Sequence, residues 1–303
     1  MPHEEKISRW IAPGSIGTEI GPGASPIPGL DPAPVYVDCF KSFADAPCRA
    51  DYFGHACALP FHDHSLDYVL ASHVLEHVAN PVAALAEWYR VVRPGGIIYL
   101  IVPDRRATWE HRRERTTVDH MLDDFVRGTT AVDATHIEEF VFQADWSLFS
   151  PGTPAEDVPA KQAELARTFH WAVEHGQEIN IHFHTFEPSN LRELLEQLQR
   201  PGHLRNPGET ARANDEKADA TRAHVAGFGS VPRFNWEIVD FAAQFPSSTP
   251  NGVLAILRVD KGWRALADAE VFRLRTQGQP NAFLRPDAQP FAEWVAGSQG
   301  GPQ

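Results

Sequence analysis

In the first 104 residues, short apolar runs alternate with turns. The runs TEI (18–20), PVYVD (34–38) and LDYVLA (66–71) predict three strands. An amphipathic helix is predicted to begin at Pro81, which follows a capping asparagine. The run IIYLIVP (97–103) is apolar at almost every position, as in a strand that is buried on both faces. Strands that alternate with helices predict a parallel sheet with crossover connections.

Beyond Asp104 the pattern predicts a group of helices, further strands and a tail. The predicted helices cover residues 116–128, about 160–174 and 188 to about 200. The predicted strands cover residues 178–186, 235–245 and 252–259, with the last two joined as a hairpin. Residues 201–230 are polar and poor in large apolar side chains, which indicates a mobile loop. The end of the chain is rich in Gln, Gly and Pro, which is typical of a tail.

Composition narrows the class of protein. The chain has 303 residues, of which 43% are hydrophobic, so it can bury a core. Its formal net charge of −13 argues against a nucleic-acid partner, because phosphate contacts need a basic surface. No apolar run is long enough to span a bilayer, and the N-terminus lacks the apolar core of a signal peptide. The cysteines, Cys39, Cys48 and Cys57, lack C-x-x-C spacing. We therefore expect a cytoplasmic protein without a membrane partner.

A glycine-containing turn, TEIGPGASPIPGL (18–30), follows the first predicted strand, and the second strand ends at Asp38. In nucleotide sites, glycines let the backbone approach the ligand and a later carboxylate binds ribose hydroxyls. The NAD fingerprint requires a third glycine where this chain has Pro26, and the Gly-Lys-Ser/Thr ending of a P-loop is missing. The turn therefore predicts a site for a nucleoside without a pyrophosphate.

Three segments together resemble the class I S-adenosylmethionine-dependent methyltransferases, in the branch called methyltransferase type 11. They are EIGPG (19–23), LPFHDHSLDYVLASHVLEHVANP (59–81) and EWYRVVRPGGIIYLIVPD (87–104). The order and spacing of LPF, SHVLEH and RPGG give the resemblance its specificity, and it covers residues 14–104. It implies an α/β fold, a Rossmann-like seven-stranded methyltransferase sheet with a helical and loop cap inserted between strands 5 and 6.

The resemblance also implies a domain organisation. Residues 1–260 are expected to form a single methyltransferase domain. Its core would comprise residues 14–104 and 231–260, and the active-site cap residues 105–230. Residues 261–303 would be a C-terminal extension.

The same resemblance implies which residues bind S-adenosylmethionine. Those around its amino-acid end are Glu19, Gly21 and Gly23. Asp38 is implied to bind the ribose hydroxyls. Those against the adenine are Gly54, His55 and Ala56. Those that face the sulfonium are Ser72 and His73. The chain departs from the family in two places: His55 stands where an acidic residue is common, and prolines at 26, 28, 32 and 34 exclude a full helix between the first two strands.

Methyl transfer to a hydroxyl or a protonated amine needs a base, and histidine suits that role. The predicted catalytic candidates are His120, His136, His182 and His184. His182 and His184 are two residues apart in a predicted strand, so both side chains are expected on one face. His120 and Asp124 are four apart on a predicted helix and should be neighbours.

Other interpretations of these histidines remain open. His136 would lie beside Glu139 if THIEEF begins a helix, but Thr135 and Glu138 also fit a capping box. Histidine and carboxylate pairs are suitable ligands for a divalent metal. No established metal-binding spacing is present, so no metal ligand is assigned.

A group of arginines at positions 105, 106, 112, 113 and 115 follows the fifth predicted strand. Arginine forks match carboxylates and phosphates, so Arg112 is predicted to bind substrate. Trp109 is predicted to pack against a substrate ring. The alternatives are a solvated turn paired with Glu110 and Glu114, and a tryptophan that closes the core.

The sequence therefore predicts an enzyme that transfers a methyl group from S-adenosylmethionine to oxygen of a small polar molecule, with nitrogen as the less favoured alternative. A sugar or secondary metabolite is the favoured acceptor. Alternatives are an S-adenosylmethionine-binding protein that does not methylate, and a metal-dependent hydrolase or isomerase. An NAD-dependent oxidoreductase is disfavoured by Pro26. A homodimer is a further expectation, with Phe283, Phe291 and Trp294 docked onto a neighbouring subunit.

Overall fold

The computed structural model describes residues 2–43, 46–199, 231–277, 279 and 281–297. The strands are β1 Gly17–Ile20, β2 Val35–Asp38, β3 Ser42–Phe43, β4 Ala46–Pro47, β5 Tyr52–Phe53, β6 Leu66–Ser72, β7 Val92–Pro103, β8 Trp236–Phe245 and β9 Gly252–Val259. The helices are α1 His3–Trp10, α2 Pro81–Val91, α3 Val118–Arg127, α4 Ile137–Gln143, α5 Trp146–Phe149, α6 Val158–Glu174, α7 Pro188–Gln197, α8 Gly262–Thr276 and α9 Phe291–Gly297. The predicted mobile loop, residues 201–230, lies outside the described residues.

A seven-stranded sheet organises the fold, in the order β5-β2-β1-β6-β7-β9-β8. The first five of these strands run parallel, whereas β9 is antiparallel to both β7 and β8. The predicted seven-stranded sheet and its terminal hairpin are therefore confirmed. Because β1, β2 and β6 are parallel neighbours, their carboxyl ends meet at one edge, where open α/β sheets bind ligands.

Both faces of the central strands are buried. On β6, Val69 and Ala71 pack into one apolar cluster with Trp88 of α2, whereas Tyr68 and Leu70 belong to a second cluster with Ile7 of α1. Burial on both sides explains why these strands are nearly continuous apolar runs. The rigid sheet that results fixes the positions of the strand ends around the ligand edge.

The helix boundaries follow from local capping signals. Asn80 caps α2 by accepting from the backbone N–H of Ala83, and Pro81 occupies the first turn. Thr117 caps α3 in the same way, and Gly128 ends that helix at φ 67°. These ends agree with the sequence-based prediction. None of the helices in the described part of the chain has the length and apolar character to cross a bilayer.

The predicted strand over residues 178–186 is wrong. This segment, all of it described, bends at Ile181 and His184 and joins no sheet. Its alternate residues Ile179, Ile181 and Phe183 are buried in a third apolar cluster with side chains of α4 and α6. An alternating pattern reports one buried side, and here helices rather than neighbouring strands cover that side.

The C-terminal segment packs onto its own sheet. Trp294 of α9 stacks on Phe53 with ring centroids 4.5 Å apart, and Phe291 lies 5.3 Å from Trp294. Phe283 lies 6.2 Å from Phe61. These aromatic side chains therefore cover edge strand β5 and its neighbourhood within one chain. They give no support to the predicted docking onto a neighbouring subunit.

Candidate functional site

A cavity of about 510 Å³ lies at the carboxyl ends of β1, β2 and β6. All of the residues implied for cofactor binding except Glu19 line it: Gly21, Gly23, Asp38, Gly54, His55, Ala56, Ser72 and His73. Its size falls in the range of small-molecule sites, which is roughly 300–1,000 Å³. The sheet thus brings residues as far apart in sequence as Gly21 and His73, 52 positions, to the same edge.

The glycine turn forms one wall of the cavity. Gly21 and Gly23 have φ of +60° and +54°, a region that other residues rarely adopt. A Cβ on Gly21 would lie 2.8 Å from Val74 Cγ2, so the turn passes close to the segment after β6. The N–H of Gly21 donates to the carbonyl of Val37 at 2.9 Å. As predicted from the prolines, residues 21–34 contain no helix.

Glu19 is buried, is not among the described residues that line the cavity, and binds the far end of the turn. Its two carboxylate oxygens accept from the backbone N–H of Ile27 at 2.9 and 3.2 Å. The side chain is 2% exposed, and this burial raises the pKa of Glu19 to about 7. In this geometry the Glu19 carboxylate shapes the turn, and its predicted contact with the cofactor stays a prediction.

We expect the buried Glu19 to make stability depend on pH. The folded chain keeps this proton up to a pKa of about 7. The unfolded chain loses the Glu19 proton near pH 4.3. The stabilisation that Glu19 gives the folded state is therefore complete below about pH 4 and is lost as pH rises through 7. Glu19→Gln, which keeps an oxygen for the Ile27 N–H, should gain about 2–3 kcal/mol relative to the wild type between pH 5 and 8. Urea unfolding at pH 5 and at pH 8 measures the stability difference between Glu19→Gln and the wild type. The same difference at both pH values would contradict the raised pKa of Glu19.

Asp38 ends β2 with its carboxylate at the cavity. It is 5% exposed, and its Oδ1 accepts from the N–H of Phe40 at 2.9 Å. Burial raises the pKa of Asp38, and hydrogen bonds from the backbone of Phe40 and from Cys48 oppose that rise. The carboxylate offers acceptor oxygens at the cavity, and the binding of ribose hydroxyls there stays a prediction.

The opposite wall follows β5. The N–H of Gly54 donates to the carbonyl of Asp38 at 3.1 Å, which brings the two strand ends together. A Cβ on Gly54 would lie 2.9 Å from Val37 Cγ1, so glycine permits this close approach. The ring of His55 packs edge-on against Phe53, with centroids 5.3 Å apart. Backbone and ring surfaces, rather than a carboxylate, therefore form this wall.

His73 directly follows β6 and has a positive φ, which is uncommon for residues other than glycine. Its φ is +55°, and its N–H donates to the carbonyl of Ile101 at 2.9 Å. Its Nδ1 lies 3.6 Å from Oε1 of Glu76. Burial alone would lower the pKa of His73, but the nearby carboxylates of Glu76 and Glu110 raise it above the ordinary value. The ring is partly exposed and lines the cavity.

Behind His73 lies a buried polar group formed by Glu76, His77, Glu110 and His182. Neither carboxylate oxygen of Glu76 has a hydrogen-bond partner, nor do the Nδ1 atoms of the two histidines. Nδ1 of His182 lies 2.9 Å from Oε2 of Glu110. Burial and the neighbouring His182 lower the pKa of His77 to about 4, so His77 is neutral near pH 7. His77 also lines the cavity.

A separate histidine–aspartate cluster consists of His120, Asp124, His136 and His184. Nε2 of His120 lies 3.3 Å from Oδ2 of Asp124, which confirms that these two are neighbours on α3. Nε2 of His184 lies 3.0 Å from the same Oδ2. His182 and His184 therefore enter different groups, and the predicted common face is wrong because their segment is not a regular strand. None of the four predicted catalytic histidines is among the described residues that line the cavity.

The surroundings of α4 differ from both sequence-based interpretations. The helix begins at Ile137, with His136 rather than Thr135 at the cap position, so the capping box is wrong. Glu138 pairs with His170 at 2.9 Å. Glu139 is 3.1 Å from Nε of Arg113 and is not the neighbour of His136 that the sequence predicted.

The arginine group is mostly engaged in structural ion pairs. Arg113 is fully buried, 2.7 Å from Glu110. Arg112 is 60% exposed and pairs with Asp145 at 2.8 Å. Trp109 packs edge-on against Phe140 and Phe149. Neither Arg112 nor Trp109 is among the described cavity-lining residues, so their predicted roles in substrate binding gain no support from this geometry.

Two cavity-lining segments, residues 129–131 and 178–180, were not predicted from the sequence. They are joined by a bond from the N–H of Ile179 to the carbonyl of Ala131 at 2.9 Å. Gly128 indicates in the sequence that the chain turns after α3. The sequence does not show that this turn places residues 129–131 at the sheet edge. Both segments belong to the predicted cap and close one side of the cavity.

Comparison with known proteins adds an independent result. Residues 19–100 match the model of the methyltransferase type 11 family, described as a methyltransferase domain. A 107-residue segment is 32% identical to an uncharacterized 37.1 kDa protein in a transposon of Streptomyces fradiae, covering 34% of this chain and 31% of that protein. A 77-residue segment is 44% identical to an uncharacterized methyltransferase of Mycolicibacterium gilvum, covering 24% of this chain and 30% of that protein. The chain thus spans about a third of the length of these relatives.

Among solved structures, an S-adenosylmethionine-dependent methyltransferase from Thermotoga maritima aligns with 86% of this chain and 88% of its own, at 17% identity and a TM-score of 0.37. The family match covers the same strands that surround the cavity, from Glu19 in β1 to Leu100 in β7. Residues 19–100 therefore match the methyltransferase type 11 family, and this match supports a class I S-adenosylmethionine-dependent methyltransferase domain in this part of the chain.

Proposed function

We propose that this chain transfers the methyl group of S-adenosylmethionine to an oxygen, or less readily a nitrogen, of a small polar molecule such as a sugar or another hydroxylated metabolite. The observation that carries the proposal is the cavity at the carboxyl ends of β1, β2 and β6, because it is lined by the residues that the family resemblance assigns to the cofactor.

The chain's own residues fit this cofactor. The turn at Gly21 and Gly23 brings backbone close to the ligand, and the buried Asp38 offers acceptor oxygens for a ribose. The wall at Gly54 and His55 presents an apolar and aromatic surface to a base. When bound, S-adenosylmethionine supplies a methyl group on a positively charged sulfur. The protein contributes mainly position and the exclusion of water.

The acceptor side of the cavity supports a small polar substrate. Thr129, Thr130 and Asn180 line it together with His73, and they provide hydroxyl, amide and imidazole groups. The segments that carry these residues cover the cavity from the cap side, which limits the space beside the cofactor. A cavity of about 510 Å³ suits a nucleoside cofactor with a small acceptor better than a macromolecule.

We assign the proton-accepting role to His73 rather than to the four histidines predicted from sequence. His73 lines the cavity at the end of β6 and has Glu76 behind it at 3.6 Å. A carboxylate in that position orients the ring and stabilises the imidazolium that forms when the acceptor loses its proton. Its positive φ is a local strain of a kind that is common at functional sites.

Removal of this base should slow turnover without abolishing cofactor binding. We expect His73→Gln to lower kcat by about 100-fold or more, because positioned bases contribute roughly 10²–10⁴. In the wild type, kcat should rise with pH as His73 loses its proton, with a midpoint above that of free histidine. The variant should lose this rise. His111→Gln, at a partly exposed histidine outside the cavity lining, is the control. An unchanged kcat and pH profile in His73→Gln would rule out this role.

The proposed reaction is tested by an acceptor screen. The protein is incubated with methyl-labelled S-adenosylmethionine and pools of sugars, hydroxylated metabolites and amines, and labelled products are separated by mass. We expect transfer to a small hydroxylated compound, blocked by the demethylated cofactor product. Label on protein or nucleic acid instead, or cofactor binding without transfer to any pool, would contradict the proposed substrate class.

A further inference from the structure

The histidine–aspartate cluster (His120, Asp124, His136 and His184) brings four potential ligand atoms together inside the cap. They are three imidazole Nε2 atoms and Oδ2 of Asp124, all within 4.8 Å of one another. Three of the four side chains are buried, and His120 is 45% exposed. What such a cluster can do depends on which of these atoms carry protons.

The outer hydrogen bond of His184 places the proton of the neutral ring on Nδ1. Nδ1 of His184 lies 3.2 Å from the carbonyl oxygen of Val78, which can only accept, so Nδ1 donates. In the neutral ring Nε2 then carries a lone pair. That lone pair faces Oδ2 of Asp124 at 3.0 Å, another acceptor. Two acceptors at this distance repel each other unless a proton or a metal ion lies between them.

His136 is held in the same tautomer by a different outer partner. The hydroxyl of Thr135 donates to Oδ1 of Asp133, so its oxygen accepts from Nδ1 of His136 at 3.0 Å. Nε2 of the neutral ring again carries a lone pair, and it lies 2.9 Å from Nε2 of His120. Outer hydrogen bonds of this kind orient metal-binding histidines and fix the nitrogen that binds.

The carboxylate completes the arrangement. Oδ1 of Asp124 accepts from the hydroxyl of Thr129 at 3.0 Å, which turns Oδ2 toward the histidines. Two nitrogen lone pairs and one carboxylate oxygen therefore converge, beside the third nitrogen on the partly exposed His120. The open side at His120 is a path by which an ion can enter.

We propose that this cluster binds a divalent metal ion, zinc before others, through Nε2 of the three histidines and Oδ2 of Asp124. Two ligands of a tetrahedral zinc, with bonds of about 2.0–2.1 Å, lie roughly 3.3 Å apart. The closest ligand contacts here are 2.9, 3.0 and 3.3 Å. Imidazole with one carboxylate suits zinc, and four protein ligands leave no open position for substrate.

The ion has a structural role, because its ligands join the cap to the methyltransferase core. His184 is bonded to the carbonyl of Val78, and the amide of Asn80 donates to the carbonyl of Asp124 at 3.2 Å. Val78, Asn80 and Thr129 all line the cavity. The metal thus stabilises the segments that carry these cavity-lining residues, although the ion itself does not contact the cavity.

Metal analysis of purified, untagged protein tests the proposal, since a polyhistidine tag would bind the same ions. The wild type is stripped with a chelator, titrated with Zn²⁺, and separately titrated with Co²⁺, whose visible spectrum reports a four-coordinate site. His120→Ala removes a half-exposed ligand, and Asp124→Asn tests the carboxylate. His170→Ala is the matched control, because His170 is 40% exposed and pairs with a carboxylate in the same cap.

We expect one zinc per chain in the wild type and in His170→Ala, and four-coordinate Co²⁺ bands. Affinity should fall by at least about tenfold in His120→Ala and Asp124→Asn. Chelation should lower the thermal midpoint of the wild type and leave that of His120→Ala unchanged. Stripped wild-type protein that takes up neither ion more tightly than His120→Ala, or that shows six-coordinate cobalt only, overturns the proposal. The cluster would then be a hydrogen-bonded histidine–aspartate network.

Discussion

Asp38→Ala is expected to weaken the binding of S-adenosylmethionine by about 100-fold. The buried carboxylate would accept hydrogen bonds from the two ribose hydroxyls, and a bond to a charged group contributes about 1.5–3 kcal/mol. Two such bonds contribute at least about 3 kcal/mol, and each 1.4 kcal/mol corresponds to roughly a tenfold change in Kd. Calorimetric titration of the variant and the wild type with S-adenosylmethionine measures the loss.

Two further variants sharpen this test. Asp38→Asn keeps the oxygen that accepts from the N–H of Phe40 but loses the charge, so its affinity should be intermediate. Asp123→Ala removes an exposed carboxylate of α3 that does not line the cavity, and it should bind like the wild type. If Asp38→Ala binds within twofold of the wild type, Asp38 does not hold the ribose.

Arg113→Met is expected to cause the largest loss of stability, about 3–5 kcal/mol in the free energy of unfolding. Arg113 is fully buried, and its guanidinium binds Glu110 at 2.7 Å and Glu139 at 3.1 Å. Removal of Arg113 leaves the buried Glu110 without its compensating cation. An uncompensated buried charge strongly destabilises the folded state. Urea unfolding followed by far-ultraviolet circular dichroism measures the change.

The adjacent arginine provides the matched control. Arg112 is 60% exposed and pairs with Asp145 at the surface, so Arg112→Met should unfold at nearly the wild-type urea concentration. The double variant Arg113→Met with Glu110→Gln should recover part of the loss, because it removes the unpaired charge. Equal effects of the two arginine variants would contradict the structural distinction between them.

Local signals made the sheet and its ligand edge predictable. The apolar runs of β6 and β7, the Asn80–Pro81 helix start and the Gly128 helix end each depend on neighbouring residues in the chain. The glycine turn and Asp38 were predictable for the same reason, since each follows directly after a strand. The edge at which these strands end then follows from the parallel topology.

Contacts between distant residues were not predictable from the sequence. Arg113 meets Glu139 across 26 positions and His184 meets Asp124 across 60, and neither pairing has a local pattern. The segment 178–186 shows the same limit, because alternation reveals which side is buried and not what covers it. The predicted set of catalytic histidines divided into two groups for this reason, and the cavity wall at residues 129–131 was missed.

The central claim is that the cavity at the ends of β1, β2 and β6 binds S-adenosylmethionine, and calorimetric titration of the wild-type protein tests it most directly. The protein must first be shown to be folded and free of carried-over ligand, and NAD serves as the comparison ligand. We predict saturable binding of one S-adenosylmethionine per chain and no binding of NAD. Folded, ligand-free protein that does not bind S-adenosylmethionine, or that binds NAD instead, would contradict the claim.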